Sequence, residues 1–193
     1  MKAIEQGTSP RFEQALAFAS VKHRGQTRKG STVPYISHPM AVASLVFEYG
    51  GSEDQAIAAL LHDTIEDSGV TEAELTELFG TQITQMVSEC TNLNNDPDPK
   101  TKKQAYIDHL AHSSAQALLV SGCDKLHNAR AISHDVRHYG AQVWARFGGG
   151  RDAVLWYYQE LVKVFESRQA EMSPRFAVLV REFKRVVEEM ASL

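Results

Sequence analysis

The run His62-Asp63-Thr64-Ile65-Glu66-Asp67 places an imidazole and three carboxylates within six residues. Read as one α-helix turning about 100° per residue, positions 62, 63, 66 and 67 fall within an arc of roughly 140°, stacked across a single turn. The preceding Ala56-Ile57-Ala58-Ala59-Leu60-Leu61 is apolar, so this turn is expected to emerge from a buried helix. Three acids and a histidine at the end of such a helix cost much desolvation unless something cationic compensates. A divalent cation is the simplest compensator.

A metal site needs further ligands from distant segments, and two residues qualify. His38 opens a helix in Ser37-His38-Pro39, and Asp124 follows the apolar stretch Ala117 to Val120 in Cys123-Asp124-Lys125-Leu126-His127-Asn128. An acid flanked by core residues calls for a partner. Two imidazole nitrogens with the carboxylates of Asp63 and Asp124 form a mixed nitrogen and oxygen shell. That shell suits one Mn²⁺ ion, or Fe²⁺ or Zn²⁺, better than Ca²⁺, which prefers oxygen alone. Taken singly, each of the four reads as well as a satisfied polar residue. The ordered set, His then His-Asp then Asp, is what favours a metal.

The elements that must hold these residues are helical. Ser9-Pro10 offers a cap and a proline at the first helical position, opening a helix through about Lys22. A loop with Gly25, Gly30 and Pro34 follows. Val42, Leu45, Val46 and Tyr49 recur at i, i+3, i+4 and i+7, an amphipathic helix ended by Gly50-Gly51. The helix bearing His62 comes next. Thr71-Glu72-Ala73-Glu74 reads as a capping box for a short helix closed by Gly80, and another helix spans about 81–91. Asn92 to Lys100 is a proline- and Asx-rich loop. Helices are expected over about 101–111, 114–138 with a Ser113-Ser114 cap, 151–168 after Gly148-Gly149-Gly150, and 174–191 after Ser173. The reading is all-α, a single domain of about nine or ten helices over residues 1–193.

The totals agree. The 193 residues, 43% of them hydrophobic and 23% charged, are enough for one ordinary core. A net charge of −4 argues against nucleic acid as a bulk partner. Cys90 and Cys123 lack ligand spacing and are expected as buried thiols in a reducing compartment. No apolar run reaches membrane-spanning length, and Met1–Glu5 has no hydrophobic signal region, so a cytoplasmic location is the default. Whether the chain forms a homodimer is left open.

Several segments together resemble the hydrolase domain of RelA/SpoT homologues, HD-domain metal phosphohydrolases, and most closely the stand-alone small alarmone hydrolases. They are Lys22-His23-Arg24-Gly25-Gln26-Thr27-Arg28-Lys29-Gly30, Pro34-Tyr35-Ile36-Ser37-His38-Pro39, Ala59-Leu60-Leu61-His62-Asp63-Thr64-Ile65-Glu66-Asp67, Phe79-Gly80 and Asp124-Lys125-Leu126-His127-Asn128. The likeness covers roughly residues 10–132 well and the C-terminal third loosely. It implies His38, His62, Asp63 and Asp124 as metal ligands and Glu66-Asp67 as the catalytic pair, which could orient or deprotonate water or protonate the leaving oxygen. Arg28 and Lys29 carry forks and ammonium groups suited to polyphosphate oxygens, and the resemblance puts them on the substrate phosphates.

Asn128 lies four residues beyond Asp124, on the same helix face, and is expected to bond ligand, water or ribose. His23 and His127 read as supporting residues. Tyr35 packs either on a substrate base or in the core. Lys102, Lys103, Arg151, Tyr157 and Tyr158 are weaker substrate-binding candidates, Arg151 because it opens a helix after the triple glycine.

The activity implied is metal-dependent removal of the 3′-pyrophosphate of (p)ppGpp or its adenine counterpart (p)ppApp. The alternatives are another HD nucleotide phosphohydrolase (an NADPH 2′-phosphatase, 5′-nucleotidase or phosphodiesterase) or a nucleotide-binding module without catalysis. Two departures border the pocket: Gly30-Ser31-Thr32-Val33, and Cys123-Asp124-Lys125 where the long enzymes usually carry Ala-Asp-Arg. Both leave the nucleobase open.

Overall fold

The computed structural model describes residues 7–92, 94 and 96–193; Met1–Glu5, read above for a signal region, and part of the 92–100 loop lie outside them. The described residues form ten α-helices: α1 (Pro10–Lys22), α2 (Ser37–Glu48), α3 (Glu53–Leu61), α4 (Thr64–Ser68), α5 (Glu72–Phe79), α6 (Thr81–Cys90), α7 (Pro99–Leu110), α8 (Ala115–Tyr139), α9 (Gly150–Arg168) and α10 (Pro174–Ser192). A 3-10 turn, Ala141–Arg146, joins α8 to α9. Among the described residues the only extended pairing is a single bridge between Thr27 and Pro34.

Local chemistry starts the helices. The hydroxyls of Ser9, Ser114 and Ser173 accept from the backbone N–H groups of Arg11, Ala117 and Phe176, removing orphan donors of each first turn. The Thr71 box is half made. Its hydroxyl accepts from Glu74 N, but the Glu74 carboxylate reaches Lys22 Nζ at 2.9 Å instead of turning back. A complete box stands at Ser52 and Gln55. Helix α7 begins two residues before its expected start, because Asp98 caps it by accepting from Thr101 N at 2.9 Å and Pro99 fits its first position.

Helix α3 is the hub. Ala56 to Leu61 are buried on every side, against α1, α2, α6 and α8. The long α8 lies across α2, α3, α6, α9 and α10. Helix α10 closes the far side with Phe176, Leu179, Phe183, Val187 and Met190, and Phe165 of α9 meets Phe176 and Phe183 with centroids 6.1 and 5.5 Å apart. Each such buried side chain contributes roughly 1.5–3 kcal/mol over its exposed state. Cys123 is buried in this core as expected, whereas Cys90 is only partly covered. Among the described residues no helix is long and apolar enough to cross a membrane.

Candidate metal centre

One expectation fails at the centre: the His-Asp turn is not the continuation of one helix. Helix α3 ends at Leu61, and Asp63 (φ −99°, ψ 0°) interrupts the chain before α4 resumes at Thr64. The cause is side-chain competition for the last carbonyls of α3. His62 Nδ1 lies 2.7 Å from Ala59 O, and Thr64 Oγ1 donates to Leu61 O at 2.7 Å. The break turns His62 inward to full burial and leaves Asp63 partly exposed.

Two further helices converge on this turn. His38, from the first turn of α2, and Asp124, from the middle of α8, are both buried beside His62. His38, His62 and Asp124 offer donor atoms that all lie within 4.8 Å of one another. His38 Nε2 is 3.0 Å from Asp124 Oδ1, and His62 Nε2 is 2.9 Å from Asp63 Oδ2. Asp63 stands at the edge of this group, its Oδ2 3.7 Å from His38 Nε2.

These residues fit a divalent cation. His62 Nε2 is buried and makes no hydrogen bond: the Asp63 oxygen at 2.9 Å approaches off the ring direction. With Nδ1–H donating to Ala59 O, Nε2 is the nitrogen aimed at the carboxylates, the one a metal would take in place of a proton. His38 is arranged alike, its Nδ1 2.8 Å from His127 Nδ1. The charges agree. Burial resists a proton on both imidazoles and wins at His38, but Asp63 and Asp124 outweigh it at His62, which is held well above the usual histidine range. Burial likewise opposes ionisation of Asp63 and Asp124, yet His62 beside the first and Lys125 beside the second keep both carboxylates low. A buried carboxylate and a partly exposed one, balanced by Lys125 and one proton, are a site in which a dication can displace that proton.

A cavity of about 940 Å³ opens beside the cluster. Tyr35 and Lys125 belong to both. Tyr35 Oη donates to Asp63 Oδ2 at 2.5 Å, and Lys125 Nζ is 2.7 Å from Asp124 Oδ2 while its ammonium sits 4.7 Å from the Tyr106 ring centre. Burial and the Asp63 charge push the Tyr35 phenol up, so it stays a donor. The loop between α1 and α2 forms the opposite wall. Arg28 N–H donates to Val33 O at 2.8 Å and Tyr35 N–H to Gln26 O at 2.9 Å, a narrow turn that projects Arg28 and Lys29. Arg28 Nη2 donates to Asn128 Oδ1 at 2.6 Å, and Asn128 Nδ2 donates to Asp124 Oδ1 at 2.6 Å. Lys29 lies 5.5 Å from the Phe147 ring centre.

Glu66 and Asp67 lie exposed in α4, one turn beyond the break, with Lys102 Nζ 3.6 Å from Glu66 Oε1. Desolvation by the neighbouring protein, then the charges of Asp63 and Glu66, push the Asp67 carboxyl up. Tyr157 and Tyr158 line the cavity. Three candidates do not line it: Lys102 lies beside Glu66, the Lys103 ammonium sits 5.3 Å from the Tyr157 ring centre, and the Arg151 guanidinium donates to Ala191 O at 2.5 Å, serving the last carbonyls of α10. Lys125, Asp135, Arg146 and Phe147 line the cavity without having been anticipated. Lys125 had a signal, a cation beside an acid in a core helix. Arg146 ends the 3-10 segment and Phe147 follows it, a stretch that no periodicity marks.

Comparison with known proteins places this geometry. The HD-domain family model matches residues 15–155. The guanosine-3′,5′-bis(diphosphate) 3′-pyrophosphohydrolase MESH1 of Xenopus tropicalis is 40% identical over 122 residues, 62% of this chain and 68% of that one. MESH1 of Homo sapiens is 39% identical over 123 residues, with the same shares. A solved structure described as a metazoan ortholog of SpoT that hydrolyses ppGpp superposes with a TM-score of 0.75 at 26% identity, covering 93% of this chain and 96% of that one. The chain belongs to the HD-domain family, among its small RelA/SpoT-type members.

Proposed function

We propose that the chain is a metal-dependent hydrolase that removes the 3′-pyrophosphate of (p)ppGpp-type alarmones, (p)ppGpp itself or (p)ppApp. The observation that carries this reading is the juxtaposition of the buried imidazole–carboxylate cluster with a cavity walled by Arg28, Lys29 and Lys125. A cavity so furnished suits a polyanion, and one of about 940 Å³ has room for a nucleotide. The names carried by the MESH1 relatives and the SpoT ortholog support the same substrate class.

His38, His62, Asp63 and Asp124 would hold the ion, and their mixed donors favour Mn²⁺, with Fe²⁺ or Zn²⁺ as substitutes. When bound, such an ion polarises a phosphoryl oxygen and acidifies water. Glu66 and Asp67 are the groups that take the proton of the attacking water and return one to the leaving 3′-oxygen. Arg28 and Lys29 bind the phosphates, with Lys102 at the rim beside Glu66. Tyr35 holds Asp63 by its hydroxyl, and Asn128 ties Arg28 to Asp124, so a phosphate drawn to Arg28 is registered against the ligand helix.

The test is product analysis. Purified protein with Mn²⁺ and ppGpp or ppApp should give GDP or ADP and pyrophosphate, read by ion-exchange chromatography, and chelation should abolish turnover. Intact nucleotide after hours with ample Mn²⁺, or release of phosphate from the 5′ end, would refute the proposal.

A further inference from the structure

One stripe of α8 measures the cavity from the metal centre outward. Asp124, Asn128, Ala131 and Asp135 lie within about 60° of one another around the helix, and the last three line the cavity wall. At about 1.5 Å per residue, Asn128 stands roughly 6 Å along the axis from Asp124, Ala131 roughly 10 Å and Asp135 roughly 16 Å. Between Asn128 and Asp135, Ala131 presents only a methyl group to the cavity.

Asp135 is the sole carboxylate among the described residues that line this cavity; the charged groups beside it are Arg28, Lys29, Lys125 and Arg146. An acid here repels phosphate, so it faces a part of the ligand rich in donors. Its position is fixed: Arg146 Nη1 donates to Oδ2 at 2.6 Å, and the Arg146 guanidinium lies 5.6 Å from the Tyr139 ring centre. Among the described residues Oδ1 accepts no hydrogen bond, and His134 Nδ1, at 3.7 Å, stays beyond range. An immobilised carboxylate with a free oxygen is an acceptor-only group.

We propose that Asp135 reads the purine edge and makes the site select guanine over adenine. Guanine presents two adjacent donors, N1–H and the N2 amino group, to such a carboxylate. Adenine presents one donor and, beside it, the N1 lone pair, which the carboxylate repels. This rests on the alarmone reading above, and it adds a preference that the metal centre and phosphate-binding residues cannot express.

The experiment measures calorimetric affinity and kcat/KM for ppGpp and ppApp with the wild-type protein and Asp135→Asn. Asparagine keeps an oxygen for Arg146 and gains an amino group able to meet adenine N1. The wild type should favour ppGpp, and the variant should lower the ppGpp-to-ppApp ratio by on the order of 10- to 100-fold, the discrimination of one bidentate base contact. Asp135→Ser, which removes the charge with little bulk, should also lower the ratio, so a folding defect in one variant leaves the other to decide. Equal losses on both nucleotides, or a wild-type preference for ppApp, would overturn the assignment. Failure of the wild type to bind or hydrolyse either nucleotide would instead sink the alarmone reading.

Discussion

His38 and His127 face each other through their Nδ1 atoms, 2.8 Å apart. One nitrogen must donate and the other accept. Burial, then the neighbouring His38 and Arg28 charges, lower His127 to about 4, so its ring is neutral and can accept. His38 then carries its proton on Nδ1 and turns the Nε2 lone pair to the cluster. His127→Phe should weaken Mn²⁺ binding by about 10- to 100-fold, read by competition with a chelator, as removal of a metal-supporting hydrogen bond does. His127→Gln, which keeps an acceptor oxygen, should recover part of that loss. Unchanged metal affinity in the Phe variant would show that the imidazole pair does not set the tautomer.

Asp67 should trade stability for activity. Its folded pKa stands above the ordinary aspartate value, because desolvation by the neighbouring protein and the Asp63 and Glu66 charges disfavour the anion. A raised carboxyl gives stability that is present below the unfolded pKa and lost as pH rises through the folded one, so at neutral pH the charge is a cost. Asp67→Asn should therefore raise the Tm of the metal-free protein at pH 7 by about 1–2 °C, with the gain vanishing near pH 3. The same variant should lower kcat by about 100-fold or more while leaving Mn²⁺ affinity intact. A lower Tm at pH 7 would reverse the sign argued here.

The turn between α2 and α3 joins the helix of His38 to the helix that leads to His62. Gly51 packs there against Val46 and Leu119: a methyl group on it would stand 3.0 Å from both Leu119 Cδ2 and Val46 O. Gly51→Ala should destabilise the protein by about 1–3 kcal/mol through overpacking, a fall in Tm of roughly 3–9 °C. An unchanged Tm would mean that the turn yields freely.

Much of this architecture was readable in the sequence, for physical reasons. Ser9-Pro10, Ser114 and Ser173-Pro174 start helices because hydroxyl caps and proline at the first position act locally. His38, His62 and Asp124 announced themselves as polar groups set in apolar surroundings, and the fold gathers them. What escaped depended on tertiary geometry. The break at Asp63 arises from side-chain bonds of His62 and Thr64 to carbonyls of α3, which periodicity cannot register. Arg151 appeared poised at a helix start, but the end of α10 offered its carbonyl first. Arg146 reaches the cavity only because the 3-10 turn folds it back onto Asp135 of α8.

The central claim is that two imidazoles and two carboxylates from α2, α8 and the turn after α3 hold one divalent cation. Anomalous diffraction at the manganese edge, on crystals grown with Mn²⁺, tests it directly. The account predicts a single strong peak bonded to His38 Nε2, His62 Nε2 and oxygens of Asp63 and Asp124, lost in His62→Ala. A peak elsewhere, or none between these four side chains at saturating Mn²⁺, would contradict it.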